Sequence, residues 1–179
     1  AAARGFTRLA VAIGKFWINK RLPSLVCEAM ECHGGNGYVE DASPLARLYR
    51  EAPVNAIWEG SGNVMCLDVL RVVRRDPGSV ELVLEEFGEA IRGESRLEAD
   101  LERIKGMLAL NSPLEENGRV LTGLIGELAA AALIHAHAPQ KNAECYLSTR
   151  FSGQGNALYG SVEIKGDVHA ILERALPRS

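Results

Sequence analysis

The chain has 179 residues, 47% of them apolar and 24% charged, with a formal net charge of −3 at pH 7. That length accommodates one domain or two small ones, with enough apolar side chains for a sizeable core. The near-balanced charge excludes a global pull toward nucleic acid or anionic lipid and leaves only local basic patches to consider.

Taken in chain order, the N-terminal "AAARGFTRLA" lacks the long apolar centre of a signal peptide. From Phe6 to about Cys32 apolar residues recur at three and four: Leu9, Ile13, Phe16, Trp17, then Lys20 as a polar break, then Leu25, Cys27 and Met30. Pro23 is expected to kink this helix or split it in two. "HGGNGYVEDAS" (33–43) reads as a loop, and a short helix is expected from Pro44 to Arg50. An apolar run then reaches Trp58, meets a single carboxylate, Glu59, and continues through Gly60, Ser61 and Gly62 into a helix ending near Arg75. Asp76-Pro77 has the form of an N-cap followed by proline at the first helical position. Ser95-x-x-Glu98 and Ser112-Pro-x-Glu115 have the capping-box pattern and predict helices over 95–110 and 113–137. The second carries Leu114, Leu121, Leu124, Ile125, Leu128 and Ala132 at helical spacing, and Pro139 ends it. Further helices are expected over 140–150 and 167–175, separated by a Gly-rich loop at 152–167 with at most one short extended piece. No strand alternation sufficient for a sheet is visible. The expected class is all-α, an antiparallel helical bundle with additions.

No uninterrupted apolar stretch of about 20 residues is present, so no membrane span is expected. Cys27, Cys32, Cys66 and Cys145 have neither CxxC spacing nor the density of a disulfide framework, and reduced thiols in a cytoplasmic protein are the expectation. His135 and His137 lie two apart on nearly opposite faces of one helix, which argues against a shared metal.

Three segments in order carry a family resemblance: "ECHGGNGYVED", "RLYREAPV" and "IWEGSGNV". Residues 6–75 resemble the C-terminal half of the helical domain of acyl-CoA dehydrogenases, matching that family's Gly-Gly-x-Gly-Tyr, Arg-x-x-Arg-Asp and Glu-Gly-Thr segments. The variants Asn36, Trp58, Ser61, Gly62 and Asn63 resemble the AidB-like branch, flavoproteins associated with alkylation damage and DNA binding. "HAP…AECYLSTRFSGQGNALYG…AILERALP" resembles that branch's additional helical C-terminal domain. The resemblance implies a bundle portion at 1–75, a helical extension at 76–179, and a longer parent protein that is a homo-oligomer, a tetramer as in the family. It implies FAD as cofactor, an acyl-CoA thioester as substrate and Glu59 as the base for α,β-dehydrogenation. The run Ile57, Trp58, Glu59, Gly60, Ser61, Gly62 and Asn63, and Gly34 and Gly35 toward the FAD of a neighbouring subunit, are the implied cofactor contacts.

A carboxylate of ordinary pKa is a weak base for an α-proton, so burial against Trp58 is expected to raise that of Glu59. On spacing alone, Glu59 also reads as a first-turn acid complementing a helix dipole. Three positions depart from the family pattern, with Glu31 and Met65 where glutamines are usual and Cys66 where arginine is usual. Lost amides at 31 and 65 weaken the expected grip on the dinucleotide, so weak or vestigial dehydrogenation in a DNA-binding flavoprotein is the alternative. Arg71, Arg74 and Arg75 close one helix, and with Arg150, extended by Lys141 and Arg119, they read either as dipole-compensating ends or as contacts to double-stranded DNA.

Overall fold

The computed structural model describes residues 2–109, 115–151, 158–164 and 167–175. Its elements are α1 (Ala2–Cys32), the single turn α2 (Gly35–Tyr38), α3 (Leu45–Glu51), a 3-10 helix (Ala52–Ala56), α4 (Gly62–Arg75), α5 (Pro77–Ala90), α6 (Ser95–Ala109), α7 (Gly118–His137), α8 (Gln140–Arg150) and α9 (Val168–Ala175). No strand occurs among the described residues, and the fold is all-α. The residues cluster into two compact units, Ala1–Val83 with Ile104–Gly126, and Leu84–Arg103 with Glu127–Ser179.

In the first unit α1 is the organising element, packing against α2, α3, the 3-10 helix and α4. It runs unbroken through Pro23, so of the expected kink or split the split does not occur. Proline removes one backbone donor, but apolar residues on both sides, from Leu9 to Val26, are buried on the same bundle and hold the helix together. Leu9 (2% exposed), Ile13 (6%) and Phe16 (8%) form the core edge of α1. They pack inside the bundle whose helices α4 and α7 supply Val69, Leu70, Leu121 and Ile125, each side chain contributing about 1.5–3 kcal/mol by leaving water. The exposed apolar edge is instead Val11, Ile18 and Leu25, seven residues apart.

Helix ends follow local chemistry, with corrections. Asp76 caps α5 as expected, accepting hydrogen bonds from the Ser79 amide (3.3 Å) and hydroxyl (2.7 Å). At α6 the cap is Glu94 rather than Ser95: the Leu97 and Glu98 amides both bond the Glu94 carbonyl at 3.0 Å, and Glu98 reaches back to the Gly93 amide at 2.9 Å. Arg96 holds the Glu94 carboxylate through Nε (2.7 Å) and an Nη (2.9 Å), and this bonding lowers the Glu94 pKa. Helix α7 starts at Gly118, later than the expected 113, and Ser112-Pro113 of its expected cap lies outside the described residues. The expected Gly-rich loop falls partly outside them too, at 152–157 and 165–166. Contrary to expectation, α7 is long and apolar enough to cross a membrane by length and composition, but Leu121, Ile125, Leu128, Ala131 and Ala132 are core residues here. All four cysteines are free, Cys66 and Cys145 buried, Cys27 and Cys32 exposed.

Candidate active site

The segment between the 3-10 helix and α4 is built by backbone geometry. The Val54 carbonyl accepts from the amides of Ile57 (2.9 Å) and Trp58 (3.0 Å), closing the 3-10 helix. The chain then reverses through Glu59 at φ 52° and Gly60 at φ 114°. Among the described residues Glu59 is the one non-glycine with positive φ. Left-handed backbone brings Cβ against the following carbonyl, and outside glycine, Asn and Asp it is uncommon. Ser61 returns to extended backbone and α4 begins.

Two polar residues of α1 pin this turn. Lys15 Nζ donates to the Trp58 carbonyl at 2.6 Å, and Asn19 Nδ2 to the Asn55 carbonyl at 2.7 Å. Being four apart, they share a helix edge. A Cβ on buried Gly62 would come within 2.7 Å of Lys20 Cε and 3.6 Å of Phe16 Cδ2, so that glycine is what lets α1 and α4 approach. Lys15 and Asn19 escaped the sequence reading, which used this helix only for its apolar face. The signal that could have found them is the polar i, i+4 pair itself.

Behind the turn Phe16, Met65 and Cys66 form an apolar cluster. Two positions where the resemblance would place polar side chains are therefore spent on packing. Arg119 lies over the Phe16 ring (5.5 Å) and donates to Asn63 Oδ1 at 2.7 Å.

The Glu59 side chain is exposed and makes no hydrogen bond or ion pair among the described residues, and Trp58 is 59% exposed. The expected burial of the carboxyl against Trp58 is thus not provided within this chain. The turn projects Ile57, Trp58 and Glu59 outward because the core side of the segment is taken by Ala52, Gly62 and Met65. Ser61 makes no side-chain cap, and the first bond of α4 runs from the Met65 amide to the Ser61 carbonyl (3.0 Å). The amides of Gly62, Asn63 and Val64 therefore have no intrahelical partner.

Gly34 (φ 57°) and Gly35 have open space where a side chain would stand, whereas a Cβ on Gly37 would meet the Met30 carbonyl at 2.2 Å. Gly37 is the packing glycine of this loop. The structure does not bring Gly34 and Gly35 to Glu59: their loop sits by Met30 and the Glu59 turn by Lys15, about 20 Å apart along α1 at 1.5 Å per residue.

Two of the four predicted arginines are engaged. Arg71 pairs with Asp68, and both Nη atoms of Arg74 bond Glu115 Oε1 at 2.9 Å. Arg75 is exposed with no partner among the described residues, and Arg150 belongs to the second unit. Lys141 pairs with Asp167 at 2.9 Å.

A model of the acyl-CoA dehydrogenase C-terminal domain matches residues 1–74. The chain is 45% identical over 143 residues to the putative acyl-CoA dehydrogenase AidB of Escherichia coli (strain K12), covering 78% of this chain and 26% of that protein. Residues 1–74 belong to the acyl-CoA dehydrogenase C-terminal domain family. Within it the chain is AidB-like. It is also 38% identical over 117 residues to acyl-CoA dehydrogenase family member 11 of Caenorhabditis elegans, covering 64% of this chain and 18% of that protein. The fold matches a solved Bd2924 apo-form (TM-score 0.66, 29% identity, 78% of this chain and 27% of that one). It also matches Caenorhabditis elegans ACDH-11 in complex with C11-CoA (TM-score 0.73, 23% identity, 97% and 33%). The chain therefore spans about a quarter of the AidB relative.

Proposed function

We propose that this chain supplies the base-bearing part of an FAD-dependent α,β-dehydrogenation of acyl-CoA thioesters, with Glu59 as the base, residues 1–75 as the dehydrogenase bundle portion and 76–179 as the AidB-like extension. The observation that carries this is Glu59 itself: a left-handed glutamate without a side-chain partner, beside an exposed tryptophan, on a turn pinned from α1. Strained backbone of this kind collects at functional sites. A carboxylate serving only as a helix-dipole acid needs no such conformation.

The residues present suit a flavin dinucleotide. Amides of Gly62, Asn63 and Val64 point at no intrahelical acceptor, and the exposed faces of Ile57 and Trp58 give an apolar wall. Bound FAD would supply the acceptor for the β-hydrogen. In the step assigned to this chain, the α C–H bond breaks and its proton passes to a Glu59 carboxylate oxygen. Lys15 fixes the position of that oxygen indirectly, by holding the carbonyl of the preceding residue. Acyl-CoA as the substrate class is supported by the C11-CoA complex of the ACDH-11 neighbour.

The nucleic-acid alternative has less to stand on, because Arg71, Arg74 and Lys141 already hold carboxylates.

The test uses the complete parent protein. Glu59→Gln keeps FAD bound and abolishes bleaching of the flavin by acyl-CoA, since an amide cannot take the proton. Bleaching at the wild-type rate would remove Glu59 from the mechanism.

A further inference from the structure

Three helices of the second unit meet around a cavity of about 410 Å³ that the dehydrogenase reading does not use. Ile134 and Ala138, four apart at the end of α7, line one side, and Cys145 of α8 and Ile171 of α9 line the others. Arg150, in the last turn of α8, and Arg174, in the last turn of α9, also line it. Among the described residues neither arginine makes a hydrogen bond or ion pair, and no Asp or Glu lines the cavity. Of the acids nearby, Asp167 pairs with Lys141 and Glu173 lies 3.2 Å from His169, while Glu127 lines a separate cavity together with Arg150. The hydroxyl of Thr149, another lining residue, is turned to the Cys145 carbonyl at 2.9 Å.

Arginine in a helix's last turn ordinarily compensates the dipole, and that alone would explain either residue. It does not explain why two exposed helix-end arginines both line one mostly apolar hollow that no carboxylate lines among the described residues. Exposed arginines lining an apolar cavity of drug-ligand size match one ligand chemistry, an alkyl tail bearing a small anionic head.

We propose that this cavity binds a fatty carboxylate of medium length, its chain against Ile134, Ala138 and Ile171 and its head group between Arg150 and Arg174. A monoalkyl phosphate shares the tail and the anionic head. The two are distinguished by the relative affinities of decanoate and decyl phosphate.

The test is isothermal titration of the full chain with decanoate, decyl phosphate and decan-1-ol, each below its micelle concentration. Saturable binding of one decanoate is expected. The double change Arg150→Gln, Arg174→Gln should weaken decanoate about tenfold while leaving decanol within about twofold, since only the charged head loses partners. Ala138→Trp, which fills the cavity, should abolish binding of both, with helicity checked by circular dichroism. A tighter decyl phosphate, equally sensitive to the arginines, would keep the site and assign the head as phosphate. Absence of saturable binding overturns the proposal. So does decanoate affinity that survives the double change, because the ligand would then sit on the exposed apolar edges of the first unit.

Discussion

Replacing Glu59 by glycine should stabilise the first unit, which is the reverse of the usual effect of glycine on an exposed glutamate. At φ 52° a residue with a Cβ pays about 1–2 kcal/mol that glycine does not. Glycine gives back about 0.4–1 kcal/mol through the greater freedom of the unfolded chain. The exposed Glu59 side chain has no partner to lose among the described residues, so the net gain is about 0.5 kcal/mol. The control is Glu81→Gly, an exposed helical position of α5 in the same unit, where glycine should cost about 0.5–1 kcal/mol. The two variants should differ by about 1–1.5 kcal/mol, or about 3–5 °C in the transition of a chain this long. Urea and thermal unfolding followed by circular dichroism give both quantities. Equal destabilisation by the two changes would show that Glu59 is not held in strained backbone, and the argument from strain to function would fail with it.

Lys15→Met should remove the charge-assisted bond to the Trp58 carbonyl and cost about 0.5–1.5 kcal/mol in urea unfolding, with Lys15→Arg recovering part of it. In the complete protein the same change should slow acyl-CoA bleaching while FAD stays bound. Gly37→Ala should cost at least about 1–3 kcal/mol, because the new Cβ meets a backbone carbonyl that cannot turn aside; wild-type stability would contradict the close packing of α2 on α1. Glu94 has its pKa lowered by Arg96, so its contribution is present above the ordinary value of 4.5 and is lost as pH falls through the lowered one. Glu94→Gln should therefore cost about 0.5–1 kcal/mol at pH 7 and progressively less in acid, read from unfolding midpoints across pH 3–7.

The long helices were legible in the sequence because they bury apolar stripes at helical spacing, although α9 buries no residue, and Asp76-Pro77 carried its cap in local chemistry. Glu94 was not legible as the cap of α6, since glutamate is a poor N-cap and what fixes it there is Arg96. Within the candidate site the glutamate and its small neighbours could be singled out by order and spacing. The left-handed turn could not, because it follows from how Lys15 and Asn19 of a distant helix hold the carbonyls of Trp58 and Asn55. Which edge of α1 faces inward was not legible for a similar reason: Leu9–Ile13–Phe16 and Val11–Ile18–Leu25 are both apolar, and only the packed partners decide between them.

Helix α1 thus has three working edges: a core edge through Phe16, a pinning edge through Lys15 and Asn19, and an apolar edge through Ile18. Adding or deleting one residue between Leu9 and Lys15 turns everything upstream by about 100° relative to the site. It would swing Leu9 out of the core while leaving the clamp intact. The same change between Phe16 and Asn19 would separate the two clamps from each other. Length variation in related chains should therefore be sparse along this helix and collect past Cys32, where the chain leaves it.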